Sequence, residues 1–213
     1  MPVPAFTISR RMPSPLPLPP KLLTTVLALV LALCVSCQSG STPRAVPTVP
    51  QIGSDLKCAS GDHGYTDQQL GWGFCYPSSW RYQEKVQATD SPSGVDLTFE
   101  ITCLTACKPQ CPTPASGEPA TCPPEDGLFG FMIVSTYDRS GASNLDSWLA
   151  SKLPHATKGA SLDWGNAVEA ATLADGRRVA LTPHNVVVLD VHPSLLDLDG
   201  EMSSRLATWK FTY

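Results

Sequence analysis

The most regular pattern in the chain is a strict alternation of apolar and polar residues between Val95 and Cys103. A period of two puts all the apolar side chains on one face, so this segment is predicted to be a half-buried strand. Phe129 to Tyr137 is a second, more apolar strand. Val186 to Val191 is apolar and β-branched on both faces, which predicts a strand in the middle of a sheet.

Turn residues join further strands. Trp72 to Tyr76 and Trp80 to Tyr82 are aromatic runs connected by a Pro-Ser-Ser turn, which predicts a hairpin. Asp175-Gly176 lies between Ala167 to Leu173 and Arg177 to Leu181, and Asp-Gly between two apolar runs predicts a tight hairpin.

Two helices and a closing strand complete the pattern. Ser143 and Asp146 match a capping box before an apolar helical face that ends at Pro154. Leu195 to Leu206 predicts a second short helix, and Thr208 to Tyr213 a last strand. The order of elements predicts the α+β class, with a mostly antiparallel sheet and helices packed on it.

One short motif resembles a known family. Gly73-Phe74-Cys75-Tyr76-Pro77-Ser78-Ser79-Trp80 is similar to the aromatic-x-Tyr-Pro-x-x-Trp hairpin that opens PsbP-like domains, a group that includes many bacterial lipoproteins. The resemblance covers residues 66–213 in outline and implies an α+β fold. Its motif is structural and assigns no photosystem-binding or ion-binding residue to this chain. A cysteine- and proline-rich loop, residues 104–126, departs from the family pattern.

The first 38 residues resemble a bacterial lipoprotein export signal. Basic residues precede an apolar run from Leu22 to Val35, and Ser36 and Cys37 follow it. A helix of these fourteen residues would measure about 21 Å, which is shorter than a bilayer core of about 30 Å, so a signal peptide is favoured over a membrane span. The resemblance implies lipidation of Cys37, with Cys34 as the alternative and ordinary secretion as a third interpretation.

These features define three segments. Residues 1–36 are the predicted signal peptide, and residues 37–56 are a lipid-anchored tether rich in Ser, Thr, Pro and Gly. Residues 57–213 form a single predicted α+β domain. The chain is therefore expected to be exported and anchored on the extracytoplasmic side of a bacterial membrane. The anchor would consist of acyl chains such as palmitate on the lipidated cysteine.

The charge balance restricts the partners. After cleavage before Cys37 the chain keeps 12 of its 15 Lys and Arg residues and all 19 acids, for a net charge of −7. It has no basic stripe, and phosphate backbones are bound by clustered Lys and Arg, so nucleic acid is not an expected partner.

Six cysteines remain in the predicted domain, and an even number in an exported chain predicts three disulfides. Sequence alone leaves their pairing open. Four of them could instead bind zinc, although their even spacing differs from the usual close pairs. The six are Cys58, Cys75, Cys103, Cys107, Cys111 and Cys122.

Candidates for chemistry are few. Asp190 and His192 share a face of one strand and, with His184, are a weak metal or acid–base candidate, for which Asp197 or Asp199 would supply a further ligand. The acidic run from Asp197 to Glu201 has some features of a calcium loop but lacks its full set of alternating oxygen ligands. It fits the start of a helix better, because acidic residues are favoured there. Five tryptophans invite a sugar-binding interpretation. Four lie in apolar or amphipathic patterns that core burial explains, and Trp72, at a strand edge beside glycines, is the remaining candidate.

The chain lacks a Gly-x-Ser-x-Gly elbow, a P-loop and a Rossmann fingerprint, and no cofactor is predicted. We therefore expect a non-catalytic lipoprotein that binds a protein partner or supports an envelope complex, with loop 104–126 as the contact surface. The alternatives are a lipoprotein that captures a small molecule or metal, and an envelope hydrolase.

Overall fold

A computed structural model describes residues 56–112 and 121–212 of the chain. The predicted signal peptide, Cys34, Cys37 and the tether up to residue 55 lie outside these residues, as do residues 113–120 of the cysteine-rich loop.

A seven-stranded antiparallel sheet forms the larger part of the described chain. Val186 to Val191, predicted to be central, lies in the fourth of its seven strands, which confirms the prediction. In chain order the strands are β3 (Trp80–Asp90), β4 (Ser93–Cys103), β5 (Leu128–Asp138), β6 (Lys158–Ser161), β7 (Glu169–Leu173), β8 (Arg178–Leu181) and β9 (Asn185–Val191). Their order in the sheet is β3-β4-β5-β9-β8-β7-β6, and the predicted Asp175-Gly176 hairpin joins β7 to β8.

A smaller antiparallel sheet has the order β1-β2-β10, made of β1 (Asp62–Asp67), β2 (Trp72–Pro77) and β10 (Lys210–Phe211). The predicted hairpin between Trp72 to Tyr76 and Trp80 to Tyr82 is wrong, because the two strands lie in different sheets. β2 pairs with β1 and β10, whereas β3 pairs with β4 from Trp80 opposite Cys103 onward. The sequence pattern predicted neither β1 nor β6.

Two short α-helices lie among the described residues: α1 (Leu145–Lys152) and α2 (Leu198–Arg205), the latter followed by a 3₁₀ turn, Leu206–Thr208. The predicted cap of α1 is wrong by one residue: Asn144, not Ser143, is extended and accepts a hydrogen bond from the Ser147 amide at 2.8 Å. Neither helix has the length and apolarity needed to cross a membrane. The described chain is thus a mostly antiparallel sheet protein with two short helices.

The central part of the large sheet is covered on both faces, each by different elements. Its inner face packs against the small sheet and α2, where Phe74 stacks on Trp209 with ring centroids 4.7 Å apart. Its outer face packs against α1 through Trp148 and Leu149, over Val186 and Val188 of β9. Successive residues of β9 point to opposite faces, so this central strand contributes to both cores.

The three predicted disulfides are confirmed. Their pairs are Cys58–Cys75, Cys103–Cys107 and Cys111–Cys122. The first joins the segment before β1 to β2, the second joins the end of β4 to the cysteine-rich loop, and the third lies within that loop. Because the four cysteines from Cys103 to Cys122 are oxidised in pairs, none remains as a thiolate for zinc, and the zinc alternative is wrong.

Candidate functional site

The cysteine-rich loop is bound to the segment that follows β9. Gln110 donates its amide hydrogen to the carbonyl of Leu195 at 2.7 Å, and Asp197 donates to Lys108 at 2.8 Å. Leu196 in turn donates to the Phe129 carbonyl of β5 at 3.4 Å. The loop therefore pairs with the segment after β9, which in turn bonds to β5, and its position is fixed by backbone hydrogen bonds as well as by disulfides.

A cleft of about 740 Å³ opens where this loop meets the segment after β9. The Cys111–Cys122 disulfide forms part of its wall, and the Leu195 side chain, 60% exposed, lies in it. The hydrogen bond from Gln110 holds the Leu195 backbone in place, so its apolar side chain stays at the surface. Other lining residues are Pro112, Pro123 and Pro193.

An exposed phenylalanine lies on β5 beside this segment. Phe129 is 49% exposed, and it lines a neighbouring cleft of about 260 Å³ together with Arg81 and Glu100. Phe129 on β5 and Leu195 in the segment after β9 thus place two large apolar side chains at the surface.

The candidate set of His184, Asp190 and His192 is only partly brought together. His192 Nε2 lies 3.8 Å from Asp190 Oδ2, and the His192 ring stacks on Phe131 with centroids 4.1 Å apart. His184 precedes β9 and His192 follows it, so they flank a seven-residue strand that spans about 23 Å. His184 therefore lies at the far end of the strand, where its carbonyl accepts from the Arg139 amide.

The acidic run after β9 is occupied by protein contacts. Asp197 caps α2 by accepting from the Gly200 amide at 3.1 Å, and Asp199 pairs with the buried Arg178 at 2.8 Å. Glu201 is buried and pairs with Arg205 and Lys108. The helix-start interpretation is confirmed. No group of three or more His, Cys, Asp or Glu side chains is placed to hold a metal ion in the described chain.

The tryptophans do not form a sugar-binding platform. Trp72, the sugar-binding candidate, is wholly buried and donates from Nε1 to Thr136 Oγ1 at 2.9 Å, so it presents no ring face to a sugar. The other four tryptophans are buried as predicted: Trp80, Trp148, Trp164 and Trp209.

The structure reveals an aromatic cleft that no local sequence pattern indicated, because its residues come from three strands. His63 of β1, Tyr76 of β2 and Tyr82 of β3 line a space of about 410 Å³. Burial and the neighbouring Tyr76 hydroxyl raise the pKa of Tyr82 to about 12. Tyr65, beneath these rings, donates to Glu84 at 3.0 Å, and burial followed by this hydrogen bond raises its pKa.

Comparisons with family models, with curated proteins and with solved structures find no match to this chain.

Proposed function

We propose that this chain is a lipid-anchored extracytoplasmic lipoprotein, non-catalytic, whose domain binds a protein partner through the surface around its cysteine-rich loop. The three disulfides agree with an oxidising compartment outside the cytoplasm. The export signal with Cys37 supports the anchor. The sequence similarity of the Gly73-to-Trp80 motif and the mostly antiparallel fold with two helices are what favour a PsbP-like domain, although the motif here joins two sheets and forms no hairpin.

The observation that carries the proposal is the cleft lined by the Cys111–Cys122 disulfide and Leu195. Its prolines have fixed φ angles, and its walls are fixed by the hydrogen bonds between Gln110 and Leu195 and between Lys108 and Asp197. A surface that is already ordered loses less entropy on association than a flexible one. An extended apolar segment of a partner protein fits this cleft by shape and polarity.

The test is site-specific photo-crosslinking in cells that produce the full chain. A benzoylphenylalanine residue at Gln110, which lines the cleft, should give a discrete adduct with one envelope protein. Leu195→Arg should reduce that adduct by about tenfold, because a charge replaces the apolar contact. The matched control is Val168→Arg, since Val168 is 59% exposed but lies next to β7.

An adduct that survives Leu195→Arg, or that is lost equally in Val168→Arg, would contradict the proposed surface. Absence of any adduct from Gln110 would also count against it. Intact mass of the protein from membranes tests the anchor separately: a chain that begins at Cys37 and carries acyl mass is expected, and an unacylated chain would contradict that part.

A further inference from the structure

A further cleft, of about 480 Å³, lies at the end of α1. One wall is the last residue of α1 and the segment after it, from Lys152 to Ala156. Another wall is the turn between β7 and β8, with Asp175 and Arg177, and Ser91 from the turn between β3 and β4 completes the lining. Its volume lies within the range of about 300–1,000 Å³ that is usual for small-molecule sites.

Basic side chains are concentrated in this cleft although the mature chain is acidic. Lys152, His155 and Arg177 line it, whereas the only carboxylate in the lining is Asp175. Asp175 Oδ2 accepts from Arg177 Nε at 2.9 Å and from Nη2 at 2.7 Å. The hydrogen bonds from Arg177 lower the pKa of Asp175, so this carboxylate remains charged and holds the guanidinium in one orientation.

The other two basic side chains have no such partner. Within the part of the chain that the structure describes, neither Lys152 nor His155 forms a side-chain hydrogen bond or an ion pair. A lysine in the last turn of a helix is stabilised by the helix dipole, which accounts for Lys152 alone. It does not account for the position of His155 three residues later, or for the approach of Arg177 to the same cleft from the turn between β7 and β8.

We propose that this cleft binds the phosphate group of a small phosphorylated molecule. Arg177 gives Nε and one Nη2 hydrogen to Asp175, so its Nη1 hydrogens and the second Nη2 hydrogen are the donors left to face phosphate oxygens, and Lys152 adds a positive charge. The donors come from a helix end, from a β-turn and, through the Ser91 hydroxyl, from a hairpin turn. Donors on several sides suit a tetrahedral group with several oxygens better than a planar carboxylate.

The remaining negative charge near the cleft is limited. Asp175 offsets the charge of Arg177, and Asp190 on β9 acts on the same guanidinium from further away. Lys152 therefore supplies the uncompensated positive charge. The volume beyond a single phosphate leaves room for the organic part of the ligand. This site is independent of the protein-binding surface proposed above, with which it shares no residue.

The test is isothermal titration of the full lipidated chain, in neutral detergent micelles, with inorganic phosphate and with acetate. Saturable binding of phosphate in preference to acetate is expected. Lys152→Met and Arg177→Met should each weaken phosphate binding by about tenfold, because each removes a charged donor. The matched control is Lys85→Met, since Lys85 is an exposed lysine paired with Glu100 on β4.

Arg177 also bonds to Asp175 in the turn between β7 and β8, so its substitution could disturb the fold. Lys152→Met avoids this problem, and near-ultraviolet circular dichroism checks that the variant is folded. No saturable binding, or equal loss in Lys85→Met, would overturn the proposal. Anionic phospholipid added to the micelles distinguishes the ligand source: displacement of phosphate indicates a lipid headgroup, and no displacement indicates a soluble phosphorylated compound. Leu195→Arg should leave phosphate binding unchanged, which separates this result from the partner-binding test.

Discussion

Gly165 lies in the turn that follows Trp164, at a position that only glycine fits. Its φ angle is +51°, and a Cβ atom there would lie 2.0 Å from the carbonyl oxygen of Trp209. Trp209 is wholly buried, so its backbone has no room to move. We expect Gly165→Ala to lower the free energy of unfolding by about 3 kcal/mol, measured by urea denaturation of the oxidised protein.

The control for this substitution is Gly127→Ala. Gly127 also has a positive φ, of +70°, but no atom lies within 4 Å of the position of its Cβ. Only the backbone penalty, about 1 kcal/mol, should remain. Equal losses in the two variants would show that the contact with Trp209 is not what requires glycine at residue 165.

At the scale of the element, the start of α1 depends on one side chain. Asn144 accepts from the Ser147 amide at 2.8 Å and lies in the extended region with φ −147°. We expect Asn144→Ala to lower the free energy of unfolding by about 1 kcal/mol. Ser143→Ala should change it little, because the Ser143 hydroxyl caps nothing. The two variants are compared by chemical denaturation, and an equal or larger effect at Ser143 would refute the assignment.

This cap shows how far an element can be predicted from its residues. Ser143 with Asp146 and Asn144 with Ser147 both carry capping side chains at the same spacing, so only the backbone decides between them. The strand from Val95 to Cys103 was predictable because one of its faces is buried along its length. Strand β1 was not, because the only buried residue among its six is Tyr65.

At the scale of the whole molecule, distant segments meet in ways that no local pattern encodes. Arg205 of α2 lies 3.4 Å from Asp62 of β1 and pairs with Glu201, which also pairs with Lys108 of the cysteine-rich loop. This network connects three segments that are far apart in sequence. The clefts also depend on segments that are distant in sequence. The basic cleft combines the end of α1 with two turns, and the aromatic cleft combines three strands. Composition predicted the compartment and the disulfides, while these sites required the tertiary arrangement.

The packing of the small sheet against β3 also predicts how the molecule responds to alkaline pH. Burial raises the pKa of Tyr82 to about 12 in the folded state, and burial together with the bond to Glu84 raises that of Tyr65. An unfolded tyrosine ionises near pH 10. Since the folded chain holds these protons more tightly, their contribution to stability is complete below about pH 10 and is lost as the pH rises toward about 12.

The free energy of unfolding should therefore fall from about pH 10 upward, and Tyr82→Phe should make this fall shallower because phenylalanine has no hydroxyl to ionise. Lysines also lose their charge in this range, so the difference between the two proteins, measured by denaturation at each pH, isolates the tyrosine. Tyr65→Phe should act in the same direction, and it also removes the hydroxyl that donates to Glu84. Parallel curves for the wild type and Tyr82→Phe would mean that Tyr82 ionises equally in the folded and unfolded chains, contrary to its position between the two sheets.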